Sequence, residues 1–241
     1  MGINHPQHLL DQIEVNIVYK INEMPPQVRS DLLTLAQQAE TATIGHFLHM
    51  GFAHKSIQHT PPMSKTIVGT AVTLAIPSID STLLHHIVGL IRPGDILVID
   101  RLGDEKYACL GGGVALALKR ANLAAAIIDG PITDPQEIRE IGLPVWSKGV
   151  SNVTTQMQNI WGAFNIPISC GGAVVMPGDL VVADETGAVF LAPKEGESIV
   201  KKAISMQVNE KKIHPKLGEN CLIGDLYGAS KLVEEALLKK Y

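Results

Sequence analysis

An α/β fold is what this sequence predicts, and three observations carry the prediction. The chain has 241 residues and is 46% hydrophobic, 4% aromatic and 18% charged, a balance that suits an α/β protein with a substantial core. The stretch DILVID at 95–100 is apolar and β-branched and reads as a strand, followed by good helix formers at 115–120. A second short apolar run at 124–128 precedes Gly130-Pro131. Strand, crossover helix and parallel strand make a right-handed βαβ unit, and ligands of such units sit beyond the carboxyl ends of the strands. Gly111-Gly112-Gly113 and the 130–134 turn therefore fall on one edge. That edge offers unhindered amides at a helix N-terminus, which favour an anion, beside an acid, Asp134, that could hold a cation.

The remaining elements follow from spacing and breakers. Residues 1–35 carry scattered apolar positions (Ile13, Ile17, Val18, Ile21, Leu32, Leu33, Leu35) that predict amphipathic helices broken at Pro25-Pro26,. Residues 36–48 continue as a helix, and a polar, Gly- and Pro-rich loop follows. TIVGTAVTLAI at 66–76 is β-branched and predicts a strand,. Residues 81–91 predict a helix stopped by Pro93-Gly94. After Asp134 a helix is expected over 135–141, ending at Gly142, then a short strand at 144–147. The Pro177-Gly178-Asp179 and Glu185-Thr186-Gly187 turns divide 166–192 into three short strands,. Residues 193–213 read as a long charged amphipathic helix, and 229–241 as another. There is no repeat and no linker long enough to separate domains.

Composition excludes several classes of function. The net charge of −4 and the lack of a basic tract argue against nucleic acid as the main ligand,. Three cysteines, Cys109, Cys170 and Cys221, fit neither a disulfide framework nor a zinc site and suggest a reducing compartment,. The N-terminus lacks a basic start followed by an apolar run, and no apolar run approaches a bilayer's thickness. A cytoplasmic protein without membrane contact is the expectation.

Each candidate site has a structural alternative. Asp134-Pro135-Gln136-Glu137 has the form of a helix start, with an acid at the cap, Pro first and Glu third,; capping is the commoner fate, and it does not exclude a metal ligand. The glycine run resembles part of a dinucleotide fingerprint, with Asp129 lying 18 residues after Gly111,. Against it, Leu116 stands where the third glycine belongs and the loop from Asp100 to Gly111 is long. The histidines show no HExxH pattern and no zinc-type pairing with cysteine. Cys109 lies beside the loop, but nothing marks it as an activated nucleophile.

Taken together, TATIGHFL (41–48), IVGTAVTLAIP (67–77), RPGDILVID (92–100), LGGGVALALK (110–119), AAIIDGPITDPQEIREIGLPVWSKGVS (125–151) and ISCGGAVVMPGDLVVADETGAVFLAP (168–193) resemble, in order, the RraA-like family. That family includes 4-hydroxy-4-methyl-2-oxoglutarate aldolase, oxaloacetate decarboxylase and regulators of ribonuclease activity. The resemblance implies a single-domain three-layer β/β/α sandwich over 36–210, with an N-terminal helical extension (1–35) and a C-terminal helical tail (211–241). It implies a homotrimer or homohexamer and a divalent metal, Mg2+ or Mn2+, held by Asp134. It implies a lyase that cleaves a small 2-oxo acid by retro-aldol reaction or decarboxylation, yielding pyruvate. The glycine-loop positions Gly111, Gly112, Gly113 and Val114 would bind the substrate carboxylate.

The match also departs from the family at three places. The motif ending Gly-x-x-Arg-Asp reads Gly130-Pro131-Ile132-Thr133-Asp134, so Thr133, a substrate-binding position, stands where a cation stabilises developing enolate charge,. Gly112 replaces a common acid, and His46 a common Asp. Arg101, just past DILVID, is the candidate to restore the positive charge, with a surface ion pair as its alternative, and His46 the candidate acid–base partner. The second functional reading is a non-catalytic RraA-like binding protein with a vestigial cleft, whose partner would be a ribonuclease-type protein.

Overall fold

The computed structural model describes residues 18–60, 65–218 and 221–239. The anticipated βαβ unit extends into a run of parallel strands. Strand β3 (Ile67–Ala75) is followed by α3 (Thr82–Ile87), β4 (Asp95–Asp100) by α4 (Gly112–Arg120), and β5 (Ala125–Asp129) by α5 (Pro135–Ile141) and β6 (Val145–Ser147). These four strands lie side by side in chain order and are parallel at each step. The period of two along each strand sorts its side chains. Val72, Leu74, Leu97, Ile99, Ala126 and Ile128 face one core with Leu83, Leu84, Ile87, Ala115, Leu118 and Ile138 of the three helices,. Their neighbours Ala71, Ile96, Val98, Ala125 and Ile127 face a second core on the other side.

That second face is covered by β structure. Strands β8 (Ile168–Cys170) and β9 (Ala173–Val175) form a hairpin, and β10 (Leu180–Asp184) pairs with β11 (Gly187–Leu191). The sequence predicts three strands here and the structure has four. The missed turn is Gly171-Gly172, whose φ values of +56° and +78° are those of a two-residue hairpin turn, which glycine adopts without steric cost,. Val181 and Ala183 point into the second core, while Leu180 and Val182 point outward to a third, built with α1 (Ser30–Ala36), α2 (Thr41–Gly45) and α6 (Pro193–Ile213). The layers are thus helices, parallel sheet, antiparallel β structure and an outer helical cover.

Strand β3 is the pivot. One edge pairs with β4 along 70–75; the other pairs with β10 over 67–70 and with β7 (Gly162–Phe164) over 74–75. Strand β1 (Tyr19–Ile21) pairs with β7 in parallel, and β2 (Gln58–His59) closes the far edge on β6.

Two expectations change. Val18 and Ile21 belong to an expected helix, yet Tyr19–Ile21 is a strand, because β7 offers a free edge that satisfies its backbone groups,; Ile13 and Ile17 lie outside the described residues. The predicted helix at 36–48 is instead the end of α1 followed by the separate α2. The break comes where Asp184 takes the Thr41 amide (2.7 Å) and hydroxyl (2.6 Å). The C-terminal helix is observed as α8 (Ala229–Leu238), after the short α7 (Ile223–Leu226). Among the described residues no helix is long and apolar enough to cross a membrane.

A Cβ at Gly171 would meet the His54 nitrogen at 2.5 Å, on top of its positive φ. Gly171→Ala is therefore expected to lower unfolding free energy by about 1–3 kcal/mol, read from the urea midpoint.

Candidate functional site

Three connections meet at the carboxyl ends of the parallel strands. The β3–α3 loop, the long β4–α4 loop and the β5–α5 turn surround a cleft of about 410 Å³. Its wall includes Ser81, His85, Cys109, the run Gly111 to Val114, Thr133 and Asp134, with Thr154 and Thr155 of the 148–161 loop opposite. The sequence places the glycine loop and the Asp134 turn on one edge, and the structure ties them together: the Thr133 amide donates to the Leu110 carbonyl at 2.9 Å.

Asp134 does not cap its own helix. It sits at the cap position of α5 but in the left-handed region (φ 53°, ψ 47°), with no side-chain bond to that helix. Its Oδ2 instead accepts the Gly112 amide at 3.1 Å, and its Oδ1 accepts the Thr133 hydroxyl at 3.2 Å. The amides of Gln136 and Glu137, which a cap would take, are left aside, and the carboxylate serves the neighbouring helix,. A carboxylate at the start of α4 gains from the partial positive charge of that helix end. The next two amides, of Gly113 and Val114, have no hydrogen-bond partner among the described residues,. The space is kept open by glycine, since a Cβ at Gly111 would meet Asp134 Oδ2 at 2.6 Å.

One cleft residue escapes the sequence reading. His85 is on α3, and its Nδ1 lies 2.8 Å from the Ser81 carbonyl. A carbonyl only accepts, so Nδ1 carries a proton and Nε2 is the nitrogen left to exchange one. The available signal is positional: His85 stands one turn after Ser81, in the last turn of the short helix that follows a parallel strand.

Two candidates lie elsewhere in this chain. Arg101 is fully buried and outside the cleft wall. Its guanidinium donates to the carbonyls of Pro77 (3.4 Å), Ser78 and Tyr107 (3.3 Å) and sits 3.7 Å from Asp104. Its stem packs under Gly130, where a Cβ would meet Arg101 Cγ at 2.6 Å. Three carbonyls and a buried position hold the charge beneath the loops, so it braces the site from behind. His46 caps α2, which packs on the outer helical layer, and lines a separate cavity with Met206, Glu210 and Tyr227. Thr133 lines the cleft, but its hydroxyl proton is given to Asp134.

The dinucleotide reading loses its acid. Asp129 forms an ion pair with Lys148 at 2.7 Å and accepts the Gly171 amide at 2.8 Å. That contact raises the Lys148 pKa. Burial pushes the Cys109 thiol up to about 11, partly offset by Arg101, so it is no thiolate nucleophile at neutral pH. Among the described residues no three His, Cys, Asp or Glu side chains converge as a metal cluster.

The profile of the RraA-like (Aldolase/RraA) family matches residues 36–190. This chain belongs to the RraA-like family. A protein of Halalkalibacterium halodurans that carries the provisional name 4-hydroxy-4-methyl-2-oxoglutarate aldolase is 30% identical over 156 residues, 65% of this chain and 74% of the relative. A 4-hydroxy-4-methyl-2-oxoglutarate aldolase of Thermus thermophilus is 25% identical over 112 residues, 46% of this chain and 68% of the relative. Among solved structures, Streptomyces coelicolor RraAS2, described as an unusual member of the RNase ES inhibitor RraA family, superposes with a TM-score of 0.69. It is 25% identical and spans 78% of this RraA-like chain and 99% of its own.

Asp80 secures the wall of the cleft that carries His85. Burial alone would raise its pKa, but the Thr82 hydroxyl and the amides of Gln158, Ile160 and Thr82 outweigh that and bring it to about 2. The folded value lies below the ordinary 3.8. The stability Asp80 supplies is therefore complete above about pH 4 and lost as pH falls towards 2. Asp80→Asn should make the acid limb of a stability–pH curve shallower between those values. Iodoacetamide at pH 8 should leave Cys109 unmodified, as read by peptide mass spectrometry.

Proposed function

We propose that this RraA-like protein is a divalent-metal-dependent carbon–carbon lyase acting on a small 2-oxo acid, by retro-aldol cleavage or decarboxylation, with pyruvate as product. The observation that carries the reading is the Asp134 carboxylate, turned away from its own helix and towards a cleft that also presents two unpartnered amides and His85. The glycine cradle in front of Asp134 fits a cation. Mg2+ takes one or two protein carboxylates and completes its shell with substrate and water, so a convergent cluster of three side chains is not required.

The chemistry that Mg2+ or Mn2+ supplies at Asp134 is Lewis-acid polarisation of a 2-oxo group and neutralisation of developing negative charge. The chain's own residues divide the remaining work. The Gly113 and Val114 amides, at the positive end of α4, hold the substrate carboxylate and orient the bond to be broken. His85 exchanges a proton through Nε2 while Ser81 fixes its Nδ1 proton, a task suited to imidazole near neutral pH. Arg101 keeps the β3–α3 and β4–α4 loops together from below. The proposal extends to a cytoplasmic homotrimer or homohexamer. The exposed Val150, Val153, Met157 and Ile160 on the 148–161 loop support an interface beside the cleft, checked by light scattering.

The second reading, a binding protein acting on a ribonuclease-type partner, is favoured by one observation. Among the described residues the cleft wall has no Lys or Arg, so developing negative charge meets no side-chain cation there.

Purified protein incubated with oxaloacetate and Mn2+ or Mg2+ should release pyruvate, and EDTA should stop it. Asp134→Ala should lower kcat/KM by about a hundred-fold or more. His85→Gln should lower kcat by a similar factor while leaving KM for metal unchanged. Absence of turnover on a panel of 2-oxo acids would favour the binder.

A further inference from the structure

A second acid reaches the same point. Gly112, the first residue of α4, lacks a side chain where none is demanded by the backbone: it is not among the residues with positive φ, and any residue adopts helical φ and ψ. A Cβ added there would run into the carboxylate of Glu137, whose Oε1 lies 2.5 Å from that position. Glu137 belongs to the first turn of α5, one turn beyond Asp134. One residue is therefore flanked by two carboxylates, Asp134 at its amide nitrogen and Glu137 against its α-carbon. The ion pairs at this sheet edge, Arg101 with Asp104 and Lys148 with Asp129, involve neither. Glu137 is third in its helix, where a capping-box acid would bond back to the cap residue, yet it makes no hydrogen bond with the described residues. Two like charges held beside one glycine, without a cationic side chain between them, are what a divalent cation would reconcile.

We propose that Glu137 is the second carboxylate of the divalent-cation site, taking the volume that a side chain at residue 112 would fill. It faces the cation directly or through a water in its shell, in the room beside Gly112. The inference rests on the placement of the cation at Asp134.

The test reads Mn2+ binding without substrate, by the EPR signal of free Mn2+ or by calorimetry on the full chain. Glu137→Gln, isosteric and at an exposed position, should weaken Mn2+ binding about ten-fold, with an unchanged circular dichroism spectrum and Tm. The double variant Gly112→Asp with Glu137→Ala, which clears the volume the Glu137 carboxylate fills, moves the acid from one helix to the other and should recover most of the loss. Asp at the first position of a helix is favourable in itself, so the double variant should fold. Wild-type binding in Glu137→Gln, with binding lost in Asp134→Asn, would overturn the role of Glu137 and leave Asp134 in place. A double variant as weak as Glu137→Gln alone would overturn the claim that the two positions share one volume. Unchanged binding in both Asp134→Asn and Glu137→Gln would remove the cation site itself.

Discussion

The bond from the Gly112 amide to the Asp134 carboxylate joins two loops that the chain separates by a helix and a strand. It sets the distance between the start of α4 and the start of α5, and with it the mouth of the cleft. It also decides what the carboxylate is free to do. An aspartate in a capping geometry spends its oxygens on its own helix; in the left-handed conformation, which aspartate tolerates better than most residues, it faces outward. The next two amides of α4 have no hydrogen-bond partner among the described residues. The glycine loop matters less for flexibility than for the room it leaves in front of two acids.

Much of this is legible in the sequence, because the signals are local. DILVID, the run before Gly130, and the Pro-start, Gly-stop helix at 135–141 each announce their own boundaries, and the βαβ rule places their loops on one edge. The hairpin at Gly171-Gly172 is written in its two glycines and is obscured by stronger turns on either side. Strand β1 is another matter: its residues have helical spacing, and only the edge of β7, more than a hundred residues away, makes them extended.

The site divides in the same way. Residues carried by the two loops, Gly111 to Val114, Thr133 and Asp134, line one cleft, as the motif and the shared sheet edge predict. Arg101 is misplaced by sequence because a side chain just past a strand can turn up into the cleft or down under the next loop, and the carbonyls of Pro77, Ser78 and Tyr107 lie below. Nothing in sequence reports those carbonyls. His85 goes unnoticed for the opposite reason: an imidazole on a helix has no motif, and its orientation comes from a carbonyl one turn earlier. Asp-Pro-Gln-Glu does not say whether Asp134 caps its own helix; the backbone conformation shows that it does not.

Strand β3 has two antiparallel neighbours in tandem along a single edge, β10 over its first half and β7 at its end, with parallel β4 on the other. Sliding it by one residue would exchange Val72 and Leu74 for Ala71 and Thr73 in the helix-facing core while unfastening three partners together. Alignment of the entire sheet is thereby locked at a strand remote from the chemistry. The loops at the carboxyl ends inherit that fixed frame, so residues there can be exchanged without the frame drifting beneath them.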